Sequence, residues 1–544
     1  MPHDEILNGP RIAVVGSGPR ALWALERLLE HLRSGNARVR PVIEVFGPGP
    51  LGAGPNYHPD QPEFLRLNLP VDRVDVWSLS GHRGPSMADW RGTPTEAGEL
   101  AVYPSRARTG RYLAEQAADV VAQLDRLGVP VRHHRQLVER VTGPYAEGSA
   151  TPSTAGVRGG RGGGWWVDDV GPVDEVLLAT GHPVDWPGAL RHTWSAGLPP
   201  LHPVTFPVQD LVAREELVPG AGVLVRGAGL TGIDAALALT TGRGQTVAGC
   251  DLRIVLVSRS GRMMVPKSPA DLVRATHARA GDPARFVDQA VGLVRAGRGA
   301  ELPGVLHDLA AHLLVGATGS QTGEARRQVE HVVEDLHSGD EPAEPVVQLR
   351  SAVAVARGDV PPDGTWALGQ AWRVLQGDLA RAQQELDPDG PPLGWPDYAM
   401  WGPELERLGY GPSLMHAEFL VAAMEAGVVQ VRRGDTAQLA RELRPDLVVD
   451  AVLPPPGVRD LPDGHVLRHL VDDGVLVPAR GHRGARVGCA AEVLDPAGSP
   501  VPGLSLVGRA AEGAVLAADT LLRDMHPAVD LWAQRVLGVR PERA

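Results

Sequence analysis

Short unbroken apolar runs along the chain alternate with stretches whose apolar positions recur every three or four residues. This is the pattern of buried strands, each followed by a helix packed on the sheet. "RIAVV" predicts a strand over Arg11–Val15, and "ALWALERLL" lies in a helix from about Arg20 to Leu32. "VIEVF" predicts a second strand ending at Phe46, and "TGRYLAEQAADVVAQLDRLG" a further helix. "DEVLLATGH" reads as a buried strand running into a turn of small residues. From Val223, "VLVRGAGLTGIDAALAL" repeats strand, turn and helix, and "DLRIVLVSRSGR" supplies its second strand. "DLVVDAVLPP" and "GLSLVGRAAEGAVLAADTLL" add two more buried strands, the latter expected to lead into a helix. The alternation predicts the α/β class, with two Rossmann-like dinucleotide-binding domains and a helical insertion. The expected boundaries are 1–205 and 440–544 for the two parts of the first domain. The second domain is expected over 206–439, with the insertion at about 266–341. Residues 144–164, rich in glycine and serine, are expected to form a flexible surface excursion.

Two glycine-spaced elbows carry the candidate chemistry. In the first, Gly16 and Gly18 stand as the tight-turn and close-approach glycines, with Ala21 as the small residue that lets helix and strand pack. In the second, Gly227, Gly229 and Gly232 complete G-x-G-x-x-G, with Leu230 and Thr231 between them. Free amides at each helix start, aided by the helix dipole, suit a pyrophosphate. After the second elbow the next strand ends with Ser258, Arg259 and Arg262 and no acid, which favours NADPH over NADH. After the first, Gly47 occupies the position where an acid is expected. Glu44, three residues earlier, is either the ribose ligand or an unrelated edge charge.

Composition narrows the partners. The 544 residues exceed one ordinary core, and 43% are hydrophobic, so a globular chain of two or more domains is expected. A net charge of −12 argues against nucleic-acid binding. Cys250 and Cys489 are the two cysteines, which excludes a disulfide framework, a cysteine zinc site and a dithiol redox pair. The N-terminal residues lack the pattern of a signal peptide, and no apolar stretch reaches membrane-spanning length. A cytoplasmic protein is therefore expected, with neither membrane nor metal partner. His133 and His134 fall on a strand, hence on opposite faces. His416 reads as a core histidine, and Trp165 and Trp166 as part of a small sheet.

Several segments together are distinctive: "GSGPRAL", "GPGPLGAGPNYHPDQPEFLRLN", "YPSRARTGRYL", "LLATGH", "GAGLTGIDAALALT" and "LVGRAAEGAVLAADTLLRD". In this order the chain resembles the bacterial FAD/NAD(P)-binding flavoproteins with two dinucleotide-binding domains, near the N-hydroxylating monooxygenases. The resemblance implies FAD on the first elbow, held by Gly16, Ser17, Gly18, Pro19 and Arg20. Further FAD contacts are implied for Asn68, Arg106, Thr180, Gly181, His182, Gly508 and Arg509. It implies NADPH on the second elbow, and a flavin ring between the domains near the loop ending at Asn68. The implied activity is an NADPH-using monooxygenase that hydroxylates a small amine or amino acid with molecular oxygen. An NADPH-dependent flavin reductase or dehydrogenase, and a non-catalytic nucleotide-binding protein, remain as alternatives. Gly47 and Arg509 depart from the family pattern, which has acids there. "GHPVDWP" matches the tail of the Baeyer–Villiger fingerprint, but Leu178 stands where the upstream glycine belongs, so His182 reads instead as a turn residue beside the flavin nucleotide. No side chain stands out as catalytic.

Overall fold

The computed structural model describes residues 8–77, 84–90, 102–143, 164–338 and 342–539. The chain forms two compact units, one of residues 1–185, 380–392 and 455–544, the other of residues 186–379 and 393–454. The expected excursion at 144–164 lies, but for Gly164, outside the described residues.

The first unit is built on a six-stranded sheet. Its order runs Glu492–Leu494, Pro500–Leu506, Glu175–Leu178, Asn8–Val15, Arg40–Phe46, Val131–His134. All neighbours are parallel except the first pair. The helix Pro19–Arg33 starts on a proline, whose missing N–H costs nothing at a helix start, and runs on leucine-rich turns to Ser34. Leu22, Leu25, Leu28 and Leu29 are fully buried, each contributing roughly 1.5–3 kcal/mol. They share one core with Tyr112 and Leu113 of the helix Arg106–Arg126 and with Trp532 of the helix Pro527–Val536. An antiparallel three-stranded sheet of Val141–Thr142, Trp165–Val167 and Val170–Val173 contains both predicted tryptophans. Glu175 is buried at its strand's start, where its carboxylate accepts from Ser505 (2.6 Å), Trp532 (3.0 Å) and Arg535 (2.7 Å).

The second unit holds a five-stranded, wholly parallel sheet in the order Val429–Arg433, Arg253–Ser258, Gly222–Arg226, Leu447–Asp450, Leu201–His202. This pairing moves the expected boundaries. Residues 201–202 and 447–450 are ladder neighbours in the second sheet, so the units divide at 185/186 and 454/455 rather than at 205 and 440. The helical insertion is also longer than 266–341, running from Ala270 to Glu425. The glycines at 316–323 do not end it. Gly319, at φ +71°, closes the helix Leu302–Thr318, and Thr322–Ser338 begins directly afterwards.

One predicted helix is absent. After Pro500–Leu506 the chain makes a short 3₁₀ turn, Arg509–Ala511, and continues irregularly to the 3₁₀ turn Arg523–Met525. Side chains supply what a helix would otherwise satisfy. The Arg20 guanidinium donates to the Ala518 (2.8 Å) and Thr520 (2.7 Å) carbonyls, and Glu512 accepts the Ala518 N–H.

Candidate functional site

Both elbows sit where sheet order reverses, the first after the strand Asn8–Val15 and the second after Gly222–Arg226. Their backbones match closely. Gly16 and Gly227 have φ of +131° and +111°, and each donates its N–H to the end of the neighbouring strand, at Phe46 (2.7 Å) and Val257 (3.0 Å). Gly18 and Gly229 precede their helices at φ −84° and −85°, with no side chain capping the free amides. A Cβ on Gly232 would stand 2.2 Å from the Gly227 carbonyl, so only glycine lets this helix approach its strand.

The first elbow opens into a cavity of about 130 Å³ within the first unit. Its walls are Val15–Arg20, Phe46–Pro48, Ala53–Asn56, Gln136–Val138, Ala179–Asp185 and Gly464–Val466. Of the predicted residues it gathers Gly16, Ser17, Gly18, Pro19, Arg20, Thr180, Gly181 and His182. The Ser17 hydroxyl is buried there without a hydrogen-bond partner, and a Cβ on Gly18 would meet nothing within 4 Å. A buried, unsatisfied hydroxyl beside uncapped helix amides and open space is the arrangement that a pyrophosphate completes.

Other predicted residues stand elsewhere. Glu44 does not line the cavity: its buried carboxylate is bound by His134 (2.8 Å), Arg132 (3.2 Å) and Arg11 (3.4 Å). Burial raises its pKa, but hydrogen bonds from His134 and Arg11 outweigh this and hold it below the ordinary value. Glu44 is thus engaged by three basic side chains from the neighbouring strands and does not line this cavity. Gly47 has a steric reason to lack an acid, since a Cβ there would lie 2.4 Å from the Ser17 hydroxyl. Arg20 lines the cavity, yet its guanidinium is turned to the chain near Thr520 and to His526 (2.9 Å), and lies 4.2 Å over the Trp23 ring. Burial lowers its pKa to about 9, which leaves it cationic at neutral pH. Arg509 is ion-paired with Asp519 (2.9 Å), and Gly508, at φ +83°, packs near Arg20. Asn68, Arg106, Gly508 and Arg509 are not among the cavity-lining residues.

His182 is held neutral. Burial lowers its pKa to about 4, with the Arg509 charge adding to the effect. His465, also on the wall, caps its own helix by accepting from the Leu467 N–H, and burial lowers its pKa too. Gly54 and Asn56 line the cavity inside the quoted "GPGPLGAGPNY" stretch; His465 carries no sequence signal that marks it.

At the second elbow, Arg226 pairs with the buried Asp450 (3.0 Å) on the adjacent strand. Burial raises the Asp450 pKa against the opposing pull of Arg226. The Ser258 hydroxyl accepts the Gly261 N–H (3.0 Å), shaping the turn that carries Arg259 and Arg262. Arg259 is exposed, and Arg262 donates to the Asp335 carbonyl.

Residues 13–183 match the family described as FAD-NAD(P)-binding. The matched residues all lie in the first unit. That segment includes the first elbow, Glu44 and the "ATGH" turn. Among curated relatives, the chain is 29% identical over 269 residues to an L-aspartate N-monooxygenase (nitrosuccinate-forming) from Streptomyces cremeus, covering 43% of this chain and 38% of the relative. It is 30% identical over 247 residues to a nitrosuccinic acid synthase from Aspergillus oryzae, covering 43% of this chain and 36% of the relative. The chain thus spans well under half the length of these relatives. A solved structure, L-lysine 6-monooxygenase from Pseudomonas syringae, aligns over 97% of this chain and 99% of its own at 11% identity, with a TM-score of 0.48. Among the described residues no group of side chains suits a metal ion, and no helix is long and apolar enough to cross a membrane.

Proposed function

We propose that the protein binds FAD at the first elbow and NADPH at the second, and hydroxylates the nitrogen of a small amine or amino acid in the cytoplasm. The balanced reaction is R–NH₂ + O₂ + NADPH + H⁺ → R–NHOH + H₂O + NADP⁺. The observation that carries this reading is the first elbow: an unsatisfied Ser17 hydroxyl and an open Gly18, within a segment of the FAD-NAD(P)-binding family. The printed activities of the matched relatives favour an amino acid, and aspartate is the first to try.

Bound flavin supplies a carrier that accepts hydride from reduced nicotinamide and delivers electrons to oxygen. The chain's own residues bind and orient. Ser17 and the helix-start amides beyond Pro19 would hold the pyrophosphate. Gly54, whose Cβ would stand 3.0 Å from Gly18 Cα, keeps the loop close over the elbow. His182 stays a neutral wall residue and adds no positive charge. The departures at Gly47 and Arg509 do not argue for a non-catalytic protein, because packing against Ser17 and pairing with Asp519 account for them.

The test begins with the absorption spectrum of the purified full chain after FAD reconstitution. Oxygen and NADPH consumption is then followed across a panel of amino acids and amines. The expected result is a bound flavin and one substrate that makes hydroxylated product match NADPH used. Oxygen-independent reduction of another acceptor would show a reductase instead, and a chain that takes up no flavin would overturn the enzyme reading.

A further inference from the structure

A second cavity, of about 390 Å³, lies within the second unit. One wall is Arg262–Val265, which directly follows the turn after the strand Arg253–Ser258. The others come from the helical insertion, including Val332, Leu349, Val355 and Trp366. The cavity abuts the elbow, since a Cβ on Gly229 would lie 3.8 Å from Met264 Sδ. Arg407, from the helix Tyr398–Gly409, reaches the same space. Its Nε donates to Glu404 (2.8 Å) and its Nη1 to the Met263 carbonyl (2.8 Å), which pins the guanidinium beside the post-strand segment. Burial lowers the Arg407 pKa; the Glu404 carboxylate pulls it back up, and the Arg262 charge adds a smaller lowering of its own. Arg433, the strand partner of Ser258, lies at 3.7 Å from where a Gly261 Cβ would be. On a chain of net charge −12, two guanidiniums from separate elements, Arg262 and Arg407, line one cavity beside the end of the strand Arg253–Ser258. Glu404 offsets one side of the Arg407 charge, and the like charge of Arg262 across the cavity is what a further anion between the two would relieve.

We propose that Arg407 joins Arg262 in binding the 2′-phosphate of the nicotinamide coenzyme, and that the apolar part of the cavity receives the adenine. This rests on the NADPH reading of the second elbow. A 2′-phosphate would accept charge-assisted bonds from both guanidiniums, which a ribose hydroxyl cannot match. Coenzyme choice is thereby shared between the strand end, where sequence motifs place it, and a helix about 145 residues further on.

The test is calorimetric binding of adenosine 2′,5′-bisphosphate and of 5′-AMP to the full chain, which needs no flavin and no turnover. Wild type should prefer the bisphosphate. Arg407→Ala should cut that preference by about 10-fold or more while leaving 5′-AMP affinity unchanged, and Arg407→Lys should fall between. Because Arg407 also holds Met263, Ala352→Trp supplies a second probe that fills the cavity without touching either arginine. It should block the bisphosphate while thermal stability is kept. An unchanged preference in Arg407→Ala, or wild-type binding in Ala352→Trp, would falsify the proposal. The NADPH reading would still stand if Arg259→Ala with Arg262→Ala lowered the preference. A wild-type chain with no preference for the bisphosphate sinks both. Loss of aspartate binding rather than bisphosphate binding in Arg407→Ala would make the cavity a substrate site and overturn the assignment.

Discussion

A side chain at position 47 has no room, because its Cβ would fall 2.4 Å from the Ser17 hydroxyl and 2.8 Å from the Ser17 amide. Gly47→Asp, which restores the family's acid, should therefore harm the protein. We expect a stability loss of roughly 1–3 kcal/mol, read in chemical denaturation, together with reduced flavin content. A gain in flavin affinity would show that the loop yields. The first two elbow glycines should separate in a similar way. Gly16→Ala places a Cβ 2.1 Å from the Ala179 carbonyl at φ +131°, so the fold itself should weaken by several kcal/mol. At Gly18→Val the new Cβ meets no atom within 4 Å and φ is an allowed −84°, so the flavin-free chain should melt within a few degrees of wild type yet remain colourless. Both glycines were legible from spacing alone. Glu44 was not, because the partners that claim it, Arg11, Arg132 and His134, come from two other strands.

Among the elements, most of the parallel strands were legible because burial on both faces makes them continuous apolar runs, whereas the short Leu201–His202 and the largely polar Val429–Arg433 were missed. Membership was harder: "DLVVD" reads the same in either sheet, and its pairing with Gly222–Arg226 is decided by long-range contacts. The chain beyond Leu506 looked helical from its alanines and leucines, but Arg20 and Glu512 satisfy its backbone in another form. Between the paired strands, Arg226 and Asp450 make a link whose halves are unequal. Arg226→Ala strands a buried carboxylate and should cost about 3–5 kcal/mol, while adding Asp450→Asn should recover a large part. Denaturation of the two single variants and the double variant checks this. Equal costs for the single and double variants would show that the carboxylate finds another cation.

For the molecule as a whole, several buried or half-buried histidines are held in the neutral form. His182, His465 and His526 all have pKa values lowered first by burial, to about 4 for His182 and well below the ordinary value for His526. A group whose folded pKa lies below its unfolded value of about 6.5 is protonated more readily in the unfolded chain. Its contribution is intact above pH about 6.5 and declines as the pH falls toward the folded value. For His182 alone the loss by pH 5 should reach up to about 2 kcal/mol. His182→Gln should flatten part of that decline in urea titrations at pH 7 and pH 5. An identical slope in the variant would mean that His182 titrates in the folded protein as it does in water.

The buried Glu175 carries a consequence for biosynthesis. Its partners Ser505, Trp532 and Arg535 are all translated more than three hundred residues later. So is the strand Pro500–Leu506 that covers its sheet edge. A nascent chain that has reached residue 454 thus holds most of the second unit, while the first still presents a bare parallel edge and an uncompensated carboxylate. The second unit is free to mature on the ribosome, and the first must wait for release. A chain stalled or truncated before residue 500 should accordingly be recovered bound to chaperones, or aggregated through the open flank of Glu175–Leu178.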